Sequence, residues 1–437
     1  MRLVSALLIA GALAGCADSD SAADDSEAPL APGKDDAPGF SVGGAKGWYL
    51  VGNALTPAEN TVSLTVSAPA ATQRVAIYLD GHYVKRAKKS AAGAFTATLD
   101  IAQLALGEHQ VLLAADGAHV AFAERRFHKS HPLYLQVSND WDDPDHPDDK
   151  LERQERLHAR HPALVITHFV GPYTFTDPSV SAARRKVLVD WVKKYARDAG
   201  DEIGLHVHPW CNFVTAAGVT CRTSPSFAYA NGDTTGYTVR LDSYTRPELE
   251  KLFAKANDLF VANGLPKPTS FRAGGWTADT HVLAAMATAG HVVDTSGCNW
   301  SKMEEWRGHP GASLYDWNRM QWSSIDETSQ PYYPAEDDIQ ADRAPHLPVL
   351  EVPDNGQLAD YVTGSEMIAM FRANFSGAAL EQPTVYAIGY HPVSFSEEYF
   401  SRLDTALTEI DKHLAKDGAG PVIYARTSDL VRVFPRP

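Results

Sequence analysis

The sequence predicts a β-sandwich followed by a parallel β/α barrel of seven or eight units, and three observations carry that prediction. The first is a series of short alternating apolar runs, set off by turn residues, from Trp48 to about Lys129. The second is a change of rhythm after His131, where apolar strand candidates alternate with helical periods. The third is the set of acidic, imidazole and guanidinium side chains at the ends of those strands, where barrel enzymes keep their chemistry.

At 437 residues the chain has material for two or three domains, and 44% hydrophobic with 21% charged residues is ordinary globular composition. A formal net charge of −15 argues against binding a phosphate backbone. No nucleic-acid partner is expected, and neutral or cationic substrates fit better.

Met1 to Cys16 has one positive charge at Arg2, an apolar run from Leu3 to Leu13, and then Leu13-Ala-Gly-Cys16. This reads as a secretion signal too short to span a membrane. It resembles the bacterial lipoprotein signal, in which the cysteine is acylated and becomes the new N-terminus, and Ala17 after it resembles outer-membrane sorting. The expectation is a protein of the cell envelope, anchored by lipid at Cys16 with the outer membrane favoured, or an extracellular one. No later stretch reaches the length of a span, so lipid alone would touch the membrane. Residues 17–45 are rich in Ala, Ser, Asp, Pro and Gly, with acids from Asp18 to Asp36 against a lone Lys34, and are expected to form a flexible tether.

The sandwich is expected over 46–130. Its strand candidates are Val62–Ser67, Val75–Leu79 before Asp80-Gly81, Ala94–Leu99, His109–Ala114 before Asp116-Gly117, and Val120–Glu124. The stretch resembles the immunoglobulin-like modules appended to secreted bacterial enzymes. It holds no cluster of catalytic residue types and reads as a spacer or a weak binding module.

The barrel is expected over 131–437. Strand candidates are Leu133–Ser138, Ala163–Phe169, Glu202–His208, Thr269–Ala273, His291–Asp294, Val349–Val352, Val385–Tyr390 and Pro421–Ala425, with helical periods at Ser181–Ala199, Arg246–Asn263, Thr280–Ala289, Gly364–Asn374 and Ser396–Lys416. A doubly wound open sheet is the rival, but no Gly-x-Gly-x-x-Gly follows the first strand.

The first barrel strand ends in Asp140, Asp142, Asp143 and Asp145, with Pro144 barring further pairing. Acids crowded this closely repel one another unless they face water or a cation gathers them. Further along, His206 and His208 lie two apart on an extended segment. Both imidazoles then leave one face about 7 Å apart at the backbone, a spacing that suits two ligands of one metal ion. Arg272 enters a glycine-rich turn, while Asp294 and His391 close later strands. Cys211 and Cys221 are close enough to close a small disulfide ring, and Cys298 is left over as a buried thiol or one near the site.

The order acidic cluster, His-x-His-Pro, Arg-Ala-Gly-Gly-Trp, Asp-Thr-Ser, Pro331-Tyr-Tyr-Pro334, Leu350-Glu-Val-Pro353 and Gly-Tyr-His-Pro392 resembles the polysaccharide deacetylase superfamily, of the NodB or carbohydrate esterase family 4 type, over about 131–434. The resemblance implies a distorted barrel and a divalent metal, usually zinc, held by one Asp and two His. By position Asp140 is the implied base and Asp142, His206 and His208 the metal ligands. Arg272 would orient the base, His391 would be the acid, and Asp294 its partner. The family pattern has adjacent Asp residues and a His-x-x-x-His turn, so Asp142 and Asp143 stand as an alternative base and ligand pair. The implied reaction is removal of N-acetyl or O-acetyl groups from a cell-envelope or extracellular polysaccharide. The rivals are a carbohydrate-binding lipoprotein without turnover and a glycosidase acting through two carboxylates, which would be indifferent to chelators.

Overall fold

Runs of Val, Ile, Leu and Tyr at strand length form a parallel sheet in the computed structural model, which describes residues 36–437 apart from 119, 231 and 307–311. The expected signal peptide with Cys16, and the tether up to residue 35, lie outside the described residues. Among the described residues no helix is long and apolar enough to cross a membrane.

The described chain divides into two compact units. The smaller comprises residues 36–44, 63–98 and 110–125 and is all β. In it Ser41–Gly43 pairs antiparallel with Thr65–Ser67, and Lys88–Lys89 with Phe95 and Thr96. Val75–Leu79 turns through Asp80 and Gly81, both at positive φ, into His82–Arg86, as an Asp-Gly hairpin demands.

The larger unit comprises residues 45–62, 99–109 and 126–437. The sequence placed its first two segments in the sandwich, but they pack with the barrel. Trp48 joins the cluster of Leu133, Phe371 and Tyr386, and the Lys129 ammonium is held by the carbonyls of Ile101, Ala102 and Leu104.

The barrel strands are β1 (Leu133–Asp140), β2 (Ile166–Val170), β3 (Glu202–Val207), β4 (Ser270–Ala273), β5 (Val293–Asp294), β6 (Leu350–Glu351), β7 (Thr384–Tyr390) and β8 (Val422–Tyr424). They run parallel in the order β6-β5-β4-β3-β2-β1-β7. One edge of β1 is shared: β8 takes Leu133–Leu135 and β2 takes Val137–Asp140. Every residue of β1 and β7 is buried, which is why they read as continuous apolar runs. The sheet is a half-barrel of seven strands that fits the expected β/α barrel. Between β6 and β7 an irregular segment takes the place of a strand, with Gly356 N–H donating to Ala387 O at 2.8 Å and Ala359 N–H to Gly389 O at 2.8 Å.

The helices are α1 (Asp148–Arg160), α2 (Ala182–Asp198), α3 (Cys211–Ala216), α4 (Arg246–Ala262), α5 (Thr280–Thr288), α6 (Ala312–Gln321), α7 (Gly364–Asn374) and α8 (Glu397–Ile410). Thr245 with Glu248, and Thr363 with Glu366, form capping boxes that fix where α4 and α7 begin. Three helices escaped the sequence reading. The first, α1, buries only Leu151, Gln154 and Leu157, too few apolar residues to stand out in Asp-Asp-Lys-Leu-Glu-Arg-Gln-Glu-Arg. Cys211–Ala216 is six residues long, and Ala312–Gln321 is ten.

Two buried histidines predict acid sensitivity. Among the described residues neither ring nitrogen of His146 or His291 has a hydrogen-bond partner. Burial lowers His146 to about 3, against the pull of Asp145 and Asp142, and lowers His291 to about 4 with help from Lys267. Both pKa values are depressed below the unfolded value near 6.5, so the unfolded chain binds more protons between them. Stability is therefore full above pH 6.5 and falls as pH drops toward 4, by about 1.4 kcal/mol per pH unit for each histidine. In urea unfolding, His291→Leu should reduce the pH slope between 6 and 4 by about one proton. An unchanged slope would contradict this.

Candidate metal centre and active site

The side chains at the carboxyl ends of the strands converge. Asp140 ends β1, and Asp142 follows in the turn, where Trp141 N–H still reaches Phe169 O. His206 lies on β3 and His208 just beyond it. The two-residue repeat puts both rings on one face, with centroids 5.0 Å apart. His206 Nε2 stands 3.0 Å and His208 Nε2 3.4 Å from Asp142 Oδ1. The ligating atoms of these three residues all lie within 4.8 Å of one another.

The other ring nitrogens decide what those contacts mean. His206 Nδ1 meets Arg272 O at 2.9 Å and His208 Nδ1 meets Tyr237 O at 2.8 Å. A carbonyl only accepts, so both Nδ1 atoms carry hydrogen and each ring presents Nε2, its metal-ligating nitrogen, on the side of Asp142. Two imidazoles and one carboxylate, with their outer nitrogens fixed by backbone carbonyls, are a donor set and supporting shell that could hold a divalent metal ion. The residues present therefore fit the expected metal.

Arg272 is fully buried beside them. Its Nη1 lies 3.1 Å and 3.3 Å from the Asp140 oxygens, its Nε donates to Thr295 O at 3.0 Å, and its Nη2 stands 3.7 Å from Asp354 Oδ2. Burial pushes Asp354 up to about 6, although Arg272 draws it down. Trp276 Nε1–H also donates to this carboxylate, at 3.1 Å.

His391 follows β7 and faces the same mouth, with Nε2 3.7 Å from Asp142 Oδ2. Its partner is not Asp294, as expected, but Asp360, whose Oδ2 lies 3.2 Å from Nδ1 and accepts the His391 backbone N–H at 3.2 Å. Burial pulls His391 down, yet the charges of Asp142 and Asp360 outweigh it and raise the ring to about 10. Asp294 cannot take that role because strand register pairs it with Glu351. The two buried carboxyls share a site, with Asp294 raised by burial and Glu351 pushed well above the ordinary range by burial and Asp294. Ser296 donates to Asp294 at 2.8 Å and Gly297 N–H to Glu351 at 2.8 Å.

Asp143 is half-buried and lies outside the three-donor group, so the structure gathers Asp142 rather than Asp143 with the histidines. The Cys298 thiol is buried, 3.0 Å from Gln357 Nε2 and 3.5 Å from Met303 Sδ, and lines no part of the mouth. A cavity of about 250 Å³ opens over Asp140, Asp142, His206, His208 and His391, walled by Tyr229, Tyr237, Trp276, Leu314 and Tyr361. A cavity of about 550 Å³ against α4 and α5 gathers no comparable donors.

Asp201 with His158 and His168 forms a second His, His, Asp group. Here Asn139 Nδ2 lies 2.9 Å from His168 Nδ1, so the amide donates and His168 must donate from Nε2 to Asp201 at 2.9 Å. That ring has no lone pair to offer, and the group is a hydrogen-bond network tying α1, β2 and β3.

Cys211 and Cys221 form the expected disulfide. Replacing both with alanine should lower stability by about 3 kcal/mol in urea unfolding. A loss below about 1 kcal/mol would show that the closed ring constrains the unfolded chain little.

No family model matches the chain, and no curated protein matches it. Among solved structures it is similar to an inferred polysaccharide deacetylase from Mycobacterium smegmatis, at 14% identity over 68% of this chain and 88% of that one, with a TM-score of 0.39. It is similar to a family 4 carbohydrate esterase from Streptomyces lividans in complex with acetate, at 9% identity over 68% and 93%, TM-score 0.34. A 4-alpha-glucanotransferase from Thermococcus litoralis scores as high, at 9% identity over 69% and 40%, TM-score 0.40. Likeness this loose assigns no residue a role.

Proposed function

We propose that the larger unit is a metal-dependent hydrolase that removes N-acetyl or O-acetyl groups from a cell-envelope or extracellular polysaccharide. The observation that carries the reading is the pair of Nε2 atoms converging on Asp142, flanked by Arg272 with Asp140 on one side and Asp360 with His391 on the other. Asp142, His206 and His208 would hold one divalent cation, zinc in the first place. Bound there, it would act as a Lewis acid on the acyl carbonyl and make water a better nucleophile.

The chain's own residues supply the rest. Asp140, oriented and charge-compensated by Arg272, accepts the proton of the attacking water. His391 is aimed by Asp360, whose carboxylate beside Nδ1 favours the protonated ring, so its Nε2–H delivers a proton to the departing amine or alcohol. The aromatic wall of Tyr229, Tyr237, Trp276 and Tyr361 offers apolar faces to a neutral sugar ring while excluding water. The smaller unit is read as an immunoglobulin-like spacer, and Cys16 as the lipid anchor that holds the enzyme at the envelope.

Acetate release from N-acetylated and O-acetylated glycans, with and without chelator, tests the reading. Release that a chelator abolishes and zinc restores is expected. Release indifferent to chelator would favour chemistry on carboxylates alone, and none from any glycan would leave a binding protein.

A further inference from the structure

We propose that Tyr237 is a positioning residue for the Asp142 carboxylate, reserving Oδ1 for the cation by occupying Oδ2. The inference rests on the metal reading above and concerns a residue that no motif in the sequence singles out. The two oxygens of Asp142 have different neighbours. Oδ1 faces His206 Nε2 at 3.0 Å and His208 Nε2 at 3.4 Å, whereas Oδ2 accepts the Tyr237 hydroxyl at 2.7 Å. A phenol hydrogen bond of that length consumes a lone pair on Oδ2 and fixes the plane of the carboxylate. Rotating Asp142 to offer both oxygens to a cation would break it.

The same residue also orients a second donor. Its ring lies tilted against His208, centroids 4.3 Å apart, and its carbonyl accepts from His208 Nδ1 at 2.8 Å. Hydroxyl, ring and carbonyl therefore act on two of the three donors. The strap carrying Tyr237 is itself pinned. Asp233 accepts the backbone N–H groups of Thr235 and Thr238, each at 2.7 Å, and Cys211 N–H donates to Thr235 O at 2.7 Å. Gly236 passes at φ +87, where a Cβ would come within 2.4 Å of Pro209 O, so only glycine lets the strap close this tightly. The strap leads into the core at Val239 and presents, on the way, a hydroxyl aimed at the Asp142 carboxylate.

Tyr237→Phe removes the hydroxyl and keeps the ring against His208 and the carbonyl, so the fold has every other contact it had. The full chain, stripped of metal and titrated with cobalt(II), gives both an affinity and a visible d–d spectrum, whose intensity falls as coordination number rises. Tyr237→Phe should bind cobalt about 10- to 100-fold more weakly, with weaker visible bands because Oδ2 is free to turn to the ion. Unchanged affinity and bands overturn the proposal. Weaker binding with unchanged bands overturns it too, because the carboxylate then binds the same way without the hydroxyl. If the wild type takes up no cobalt, the metal reading falls and this proposal with it.

Discussion

His391→Ala should cut acetate release by roughly 100- to 10,000-fold while leaving metal content unchanged, the range expected for loss of a general acid. The ring lies 3.7 Å from Asp142 and outside the three-donor group, so its removal takes a proton from the leaving group and no ligand from the cation. The pH profile identifies its partner. Asp360 and Asp142 stabilise the imidazolium, raising it to about 10 against burial. In Asp360→Asn one of those charges is gone, the imidazolium loses support, and the basic limb should move to lower pH. In Asp294→Asn that limb should stay where it is. A basic limb that moves with Asp294 and not with Asp360 would contradict the assignment.

Arg272→Met should destabilise the larger unit by roughly 3–5 kcal/mol, the usual consequence of removing one partner from a buried charge pair. The guanidinium is fully buried and faces Asp140 at 3.1 Å and Asp354 at 3.7 Å, with the Asp294 and Glu351 pair nearby. Without it these carboxylates lack their shared counter-charge and must take up protons or water. Arg272→Lys should recover only part of the loss, since an ammonium cannot bond Asp140 and Thr295 in the fork that Arg272 uses. Equilibrium urea unfolding at pH 7 measures both variants. A loss below about 1 kcal/mol for Arg272→Met would mean that the acids are already neutral, and that Arg272 does not compensate Asp140.

Much of the site was legible in sequence because its residues sit on strand ends, where an apolar run stops at a polar residue. Asp140, Asp142, His206, His208, Arg272 and His391 share that signature, and the structure brings five of them to one mouth, with Arg272 buried against Asp140. Asp360 and Asp354 were missed because they lie in the irregular segment between β6 and β7, which has no period to place them. Tyr237 sits in a strap whose position depends on a glycine, an Asp turn and a neighbouring disulfide. Asp294 was matched to the wrong partner because only the register Asp294 with Glu351 reveals that its carboxyl is already engaged. The parallel sheet followed from apolar strand runs alternating with helical periods. Strand limits did not: β5 and β6 are two residues each, set by tertiary pairing rather than by local pattern.

The most direct test of the central claim is zinc binding to metal-free protein, by calorimetric titration with elemental analysis of the purified chain. The account predicts one zinc per chain in the wild type, a marked loss of occupancy in His206→Ala, His208→Ala and Asp142→Asn, and retained zinc in Asp140→Asn and His391→Ala. Wild-type protein that binds no zinc or other divalent ion, or His206→Ala and His208→Ala proteins that keep full metal, would contradict it.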